Sequence, residues 1–439
     1  MKRKKKISGR KQEQGIILTL VAVFMLAVVG AMAALSIDVV TLYTARSEAQ
    51  LAADGAALAG ARVLANSGMT SAVTNAALTS NAETLASAVA IQVAQGNVVG
   101  GRNLVASNGE VIVSFPNSAS PAFGTNPHVT VQVKRTDLPT FFARIWGSKQ
   151  LAVSASATAE AYNPSGAEAL DLDPPPQIAP TCVKPWLLPN IDPTGAFAIQ
   201  IFNSATGAIV SRPGGWLGQS WSLQAKCSDC SGVGGIPPAS FGQYYPGAIE
   251  ADDFPVPTAL PACSAGFNSY QLAVAGCVPR PIRCGPLPAA AIDIDVNPYT
   301  TSRDADTAQA ARCLIHDTGA AGDSDSIDSA GLTPPNPFQF LAGNQNPVAG
   351  AVGRDVLVSD SLVTIPVINT NAGPPPPGTT VDVIGFLQVF LNSAGNPMPG
   401  PQIPATVVNM AGCGTGATGT PPLLGNGASP VIVRLISPP

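Results

Sequence analysis

The side chains with the most chemistry to offer are eight cysteines: Cys182, Cys227, Cys230, Cys263, Cys277, Cys284, Cys313 and Cys413. An even number confined to one stretch is the pattern of up to four disulfides formed in an oxidising compartment. Eight thiols allow roughly 100 pairings, so spacing alone leaves the connectivity open. Cys227 and Cys230 make a Cys-x-x-Cys pair, without the β-α-β pattern that thioredoxin-type exchange requires. Together with Cys313 and His316 the pair has the ligand types of a zinc site. Oxidation competes for those thiols outside the cytosol, so bridges are expected rather than metal.

The carboxylates give a weaker pattern. Asp293, Asp295, Asn297 and Asp304 fall at four ligand places of a calcium-binding loop, but Pro298 stands where the sharp turn needs Gly. Asp323, Asp325 and Asp328 form a second acidic loop. Both are expected to be solvated turns without metal. There are two histidines, His128 and His316, and no Gly-x-Ser-x-Gly, His-Glu-x-x-His or Walker loop. The expectation is therefore a protein that is not an enzyme and carries no cofactor or metal.

The elements that must carry these residues are unevenly spread over 439 residues. Charged residues are 11% of the chain, against about 25% in a typical soluble protein. That argues against a nucleic-acid binder. Residues 1–11 hold seven of the 23 Lys and Arg and no acid. Only four of the 42 prolines precede residue 161. The chain reads as a basic head, a proline-poor module, and a larger region rich in Pro, Gly and Cys.

Gly15 to Ile37 is 23 residues without a charge. At about 1.5 Å per residue it crosses a hydrocarbon core of about 30 Å with some tilt. The basic cluster should stay cytoplasmic, which places Asp38 onward outside. Ala31-Met32-Ala33 before Ala34 also fits a cleaved signal peptide formally. The helical pattern runs straight through that point, so an uncleaved single-pass anchor is expected. Residues 38–66 continue the helix without Pro. At 100° per residue Ala45, Ala49, Ala52, Ala53, Ala56, Ala59, Gly60 and Val63 share one face. Arg46, Gln50 and Asp54 form a polar stripe beside it. Small side chains at Ala52, Ala56 and Gly60 permit close backbone approach, by the protein's own sheet or by a partner helix.

The run Ser36-Ile37-Asp38-Val39, then Glu48-Ala49-Gln50-Leu51-Ala52-Ala53-Asp54-Gly55-Ala56-Ala57-Leu58-Ala59-Gly60-Ala61, resembles the N-terminal module of TadE/TadG-like proteins. Those are membrane-anchored components of the Flp/Tad pilus-assembly system. The resemblance covers about residues 14–65 and extends less specifically to 161. Gly55 replaces the family's usual Ala. It implies an α+β fold: a transmembrane helix continuing into an Ala-rich helix packed on a small antiparallel sheet, in a pilin-like arrangement. It also implies partners among other Tad/Flp or pilin-like proteins; the helical face and its polar stripe mark Ala49, Gln50, Ala52, Asp54, Ala56 and Gly60 as the candidate contacts. TadG proper carries a metal-binding Asp-x-Ser-x-Ser loop after a buried strand. Asp323-Ser324-Asp325-Ser326 departs from it, with Asp in the third place.

A second Ala-rich helix is expected over residues 70–95, ended by Asn97–Gly101. Period-two alternation predicts strands at Val111–Val113, Val129–Val133 and Leu151–Ala159. Thr140–Gly147, with three aromatics, is expected to plug the gap between helix and sheet. Further strands are expected at Ala196–Phe202, Val356–Val358, Leu362–Ile368, Val381–Leu391 and Val431–Ile436, with Pro366 making its strand an edge or bulged one. Their long turns suggest a β-sandwich or an irregular, disulfide-bearing β domain. The expected organisation is a basic cytoplasmic tail (1–14), a transmembrane helix (15–38), a helix-and-sheet module (39–162), a Pro-rich linker (163–180) and a β-rich exported region (181–439). The function expected from all this is a structural component of a Flp/Tad-type pilus or secretion apparatus, with an adhesin-like surface protein as the alternative.

Overall fold

In the computed structural model, described residues are 11–116, 126–140, 150–165, 176–225, 242–247, 261–285, 292–293, 301–328, 338–356, 358–371, 380–398, 400–414, 421–425 and 429–436. The chain begins with one continuous helix, α1 (Lys11–Asn66), 56 residues long, or about 84 Å. A reversal at Gly68 follows, then α2 (Ala76–Gln95). Asn75 caps α2, its Oδ1 accepting from Leu78 N at 3.1 Å. Asn97 closes it, donating from Nδ2 to Val93 O at 2.7 Å. The expected helix over 70–95 is thus six residues shorter at its start, because the 67–75 stretch is spent on the turn.

Strands β1 (Val111–Ser114), β2 (His128–Pro139) and β3 (Gln150–Tyr162) correspond to the three alternating segments. The 141–149 stretch, with most of the expected aromatic plug, lies outside the described residues. The Cys-rich region contributes β4 (Trp186–Pro189), β5 (Ser220–Ala225), β6 (Gln243–Pro246), β7 (Leu362–Ile368), β8 (Val383–Leu391), β9 (Ile403–Gly412) and β10 (Ile432–Ile436). It also contributes two helices that the sequence reading did not foresee, α3 (Ser269–Ala275) and α4 (Thr301–Leu314).

Two units divide the chain: residues 1–56, 91–112 and 131–157 in one, and 57–90, 113–130 and 158–439 in the other. The first holds the apolar length of α1. The second is built on a closed barrel in the order β7-β8-β9-β5-β6-β4. The β-rich region expected from the sequence, as a sandwich or an irregular domain, is thus built on a barrel. The β7-β8-β9-β5 ladders are antiparallel, β5-β6 is parallel, β6-β4 antiparallel, and β4 closes on β7 in parallel. Closure leaves no free edge, and β8 is buried along its whole length. Pro366 sits inside β7, one residue before a register shift at Val367/Ile368, so the bulge expected there is present.

β10 does not join the barrel. It pairs antiparallel with the end of β3, Ile432 opposite Tyr162 and Ile436 opposite Thr158, and completes a sheet of order β10-β3-β2-β1. Beneath that junction Tyr162, Ile178, Cys284, Phe386, Cys413 and Ile432 share one core cluster.

Candidate functional site

The apolar length of α1 is bare. Leu18, Leu26 and Met32 are 75%, 77% and 71% exposed. Among the described residues this is one helix long and apolar enough to cross a membrane, and its apolar window has no cover from the rest of the chain. An apolar surface of that extent is stable against lipid or protein and unstable against water.

Past Asp38 the helix changes character. Ala45, Ala49, Ala52, Ala53, Ala56 and Ala57 are each at most 1% exposed. Small residues set the spacing to α2: a Cβ on Gly55 would touch Val93 at 4.0 Å, and one on Gly60 would meet Val129 at 3.0 Å and Ala90 at 3.5 Å. The face that the sequence left open between the protein's own sheet and a partner helix is therefore occupied by the chain itself. Of the six residues read as partner contacts, Ala49, Ala52, Ala56 and Gly60 are buried in the fold. Gln50 and Asp54 remain partly or fully exposed. They pair at i, i+4, Gln50 Nε2 donating to Asp54 Oδ1 at 2.7 Å, and Gln50 also reaches Ser156 O of β3 at 3.3 Å. Tyr43 and Leu51, 72% and 67% exposed, lie on the same open side.

A charged cluster braces the module. Arg102 reaches Glu110 and, at 2.9 Å, Asp137, and Arg135 Nε donates to Asp137 Oδ1 at 2.8 Å. The hydrogen bonds from Arg135 and then Arg102 hold the Asp137 carboxyl down to about 2. Arg102 likewise lowers Glu110. Glu48 accepts from Gly100 N at 2.7 Å, tying α1 to the turn after α2.

The C-terminal end of α1 is fastened to the barrel by buried amides. Asn409, on β9, donates from Nδ2 to Ala65 O, one of the helix's last carbonyls, which has no partner within the helix. Asn409 Oδ1 contacts the Ser71 hydroxyl, and Ser71 also bonds the backbone of Met410 at 2.9 Å. From the end of β3, Asn163 donates to Met410 O at 2.8 Å and Thr70 Oγ1 at 3.2 Å. Gly68 makes the approach possible: its φ is +78°, and a Cβ there would stand 2.6 Å from Val408 O. On the other side of β3, Arg434 of β10 donates at 2.8 Å to Glu160, which is fully buried, with His128 at 3.7 Å.

Six of the eight cysteines form bridges: Cys182–Cys277, Cys263–Cys313 and Cys284–Cys413. Cys227 and Cys230 lie outside the described residues. Cys313 is spent on Cys263, which removes it from the zinc set weighed from sequence. Asp304 starts α4 instead of closing a calcium loop, and Asp295 and Asn297 lie outside the described residues. The second acidic loop is not solvated. Asp325 is buried and accepts from Gly343 N, Asn346 Nδ2 and Ser359 Oγ at 2.6–2.9 Å, and Asp323 accepts from Thr318 and Ala320 N. These carboxylates organise turns.

Lys184 was missed. It is fully buried, and its Nζ donates at 2.6 Å to Val274 O and Gly276 O at the C-terminal end of α3. Burial pushes its ammonium down to about 7.

Among the described residues α1 is long and apolar enough to cross a membrane, and the chain also carries a disulfide-bridged, β-rich region. Residues 15–63 match the family model described as "Putative Flp pilus-assembly TadE/G-like". No curated protein and no solved structure matches the chain.

Proposed function

We propose that this protein is a membrane-anchored component of a Flp/Tad-type pilus-assembly or secretion apparatus, acting through protein–protein contacts. The observation that carries the reading is α1 itself. Nearly all of it, residues 15–63, matches a pilus-assembly family model; its N-terminal stretch exposes a run of large apolar side chains, and from Ala45 onward its Ala face is buried. A helix half in lipid and half laid on a sheet is a pilin-like arrangement. The basic head holds it with the remaining residues on the outer side of the inner membrane. With the Ala face taken up internally, partner contact falls to the open side of α1, at Gln50 and Asp54. Deletion of the chain should abolish surface pili, counted by electron microscopy, and carbonate washing should leave the protein in the membrane pellet. Normal pili in the deletion strain would overturn the assembly reading.

The adhesin reading has one feature in its favour, a cavity of about 690 Å³ lined by Phe267, Ala308, Arg312, His316 and Gln345, among others. Normal pili with lost surface adhesion would favour it.

A further inference from the structure

The three disulfides interleave. Cys182–Cys277 spans 95 residues, Cys263–Cys313 spans 50, and Cys284–Cys413 spans 129. Cys263 lies within the first loop and Cys284 within the second, so each bridge crosses the next. None of the six pairs with its neighbour in sequence. Cys227, Cys230 and Cys263 stand between Cys182 and Cys277, Cys277 and Cys284 between Cys263 and Cys313, and Cys313 between Cys284 and Cys413.

With the N-terminus held inside, the exported part crosses the membrane in sequence order and presents these thiols one after another, Cys413 last. Until then Cys284 has no native partner, and wrong ones are in reach. Cys277 and Cys284 are seven residues apart. Loop-closure statistics, scaling with length to the power 3/2, favour that pair over Cys182–Cys277 by about 50-fold and over Cys284–Cys413 by about 80-fold. A Cys277–Cys284 bridge blocks two of the three native ones at once. It also leaves Cys413, which directly follows β9, without its partner in the core cluster. Once the fold is made, Cys284 and Cys413 are 2% and 6% exposed and beyond the reach of an external thiol. Correction must come before closure.

We propose that this chain is an obligate substrate of a thiol–disulfide isomerase of the cell envelope, a partner with a reactive thiolate that acts on the open chain. The inference rests on the exported topology proposed above. The disulfide of a dithiol oxidase first takes two electrons and two protons from the Cys277 and Cys284 thiols, while Cys182 stays reduced. The isomerase thiolate then attacks Cys277 in the Cys277–Cys284 bridge, forming a mixed disulfide and releasing the Cys284 thiolate. The Cys182 thiolate attacks Cys277 in turn, which forms Cys182–Cys277 and returns the isomerase thiolate with no net oxidation. Cys284 stays free for oxidation with Cys413.

The test expresses the full chain in a host with and without its envelope disulfide isomerase, the oxidase being present in both. Free thiols are alkylated at harvest and bridges mapped by mass spectrometry of non-reduced digests. Without the isomerase, chains carrying all three native bridges should fall at least tenfold, with Cys277–Cys284 among the products. An isomerase lacking its resolving cysteine should be trapped as a mixed disulfide with the chain. Equal native pairing in both hosts, with no trapped complex, would overturn the proposal and leave export intact. Fully alkylated, unbridged chains in both hosts would instead overturn the exported topology and the proposal with it.

Discussion

Replacing Asn409 by Ala tests whether the end of α1 is fastened to the barrel through the amides described above. Asn409 is fully buried on β9, and its Nδ2 is the donor to Ala65 O. Removing it leaves that helix-end carbonyl buried without a partner, which costs about 1–3 kcal/mol. Ser71 loses its contact with Oδ1 but keeps Met410, a loss nearer 0.5–1 kcal/mol. The total is about 1.5–4 kcal/mol. For a unit of this size about 2 °C of melting temperature goes with each kcal/mol, so the full chain in detergent should melt roughly 3–8 °C lower. Amide exchange over residues 63–71 should accelerate, while the distal strands of the barrel should keep their protection. Asn409→Asp is a sharper probe: it keeps an acceptor, loses the donor and buries a charge, so it should melt below Asn409→Ala. An unchanged midpoint with unchanged exchange at 63–71 would show that something else holds the helix end.

Lys184 gives a pH dependence with a definite sign. Its folded pKa of about 7 lies below the usual 10.5. Between those values the unfolded chain binds a proton that the folded chain does not, so stability rises with pH by about 1.4 kcal/mol per unit and the full penalty stands below pH 7. Urea midpoints of Lys184→Met should lose that slope between pH 7 and 9.5; an identical slope would place the titration elsewhere. Arg434→Met leaves Glu160 buried without its cation and should destabilise by about 3–5 kcal/mol in urea titration. Ala56→Leu overpacks a fully buried position and should cost about 1–3 kcal/mol, whereas Asp54→Ala should leave the melt unchanged and reduce pilus number.

What the sequence disclosed were features with a local cause. A charge-free run and an Ala period are visible without knowing any partner, and α1 follows from them. The helix before 96–97 and strands β1 to β3 have the same kind of signal. The barrel does not. Its strands are four to ten residues long, lie as far apart as Trp186 and Gly412, and pair out of order. Ala196–Phe202 alternates like a strand, yet only an isolated bridge at Phe202 forms. The buried Asn190 side chain takes the ladder's place, accepting from Ile201 N and Phe202 N and donating to Phe202 O. A period-two pattern cannot distinguish a strand from a segment paired to one amide. α3 carries a readable local signal, since Asn268 and Gln271 form a reciprocal capping box. α4 was hidden because its acids suit a calcium loop as well as a helix start. In the site, burial of Ala49, Ala52, Ala56 and Gly60 was foreseeable, but which body covers them was not, since small-residue spacing is the same for a sheet and a partner helix.

The order in which these contacts can form leads to a last prediction. Residues 57–71, 126–130 and 158–163 take their buried partners from much later in the chain: Asn409 and Met410 for the helix end and Asn163, Arg434 for Glu160, and β10 for the free edge of β3. A chain stopped after Pro180 keeps the whole stretch resembling the pilus-assembly family and loses all of them. It would retain a buried carboxylate without its cation, at about 3–5 kcal/mol, an unpartnered Ala65 carbonyl, at about 1–3 kcal/mol, and an open sheet edge at β3. Those losses are comparable to the whole stability of an ordinary domain, about 5–15 kcal/mol. The truncated chain should therefore insert through α1 but be cut by trypsin within residues 126–163 at concentrations that leave the full chain intact. Supplying residues 181–439 as a separate exported chain should restore protection if both pieces meet before degradation. A stopped chain that resists trypsin as well as the full one would show that the late contacts are dispensable, and that the anchor module folds on the strength of its Ala-lined helices and three strands alone.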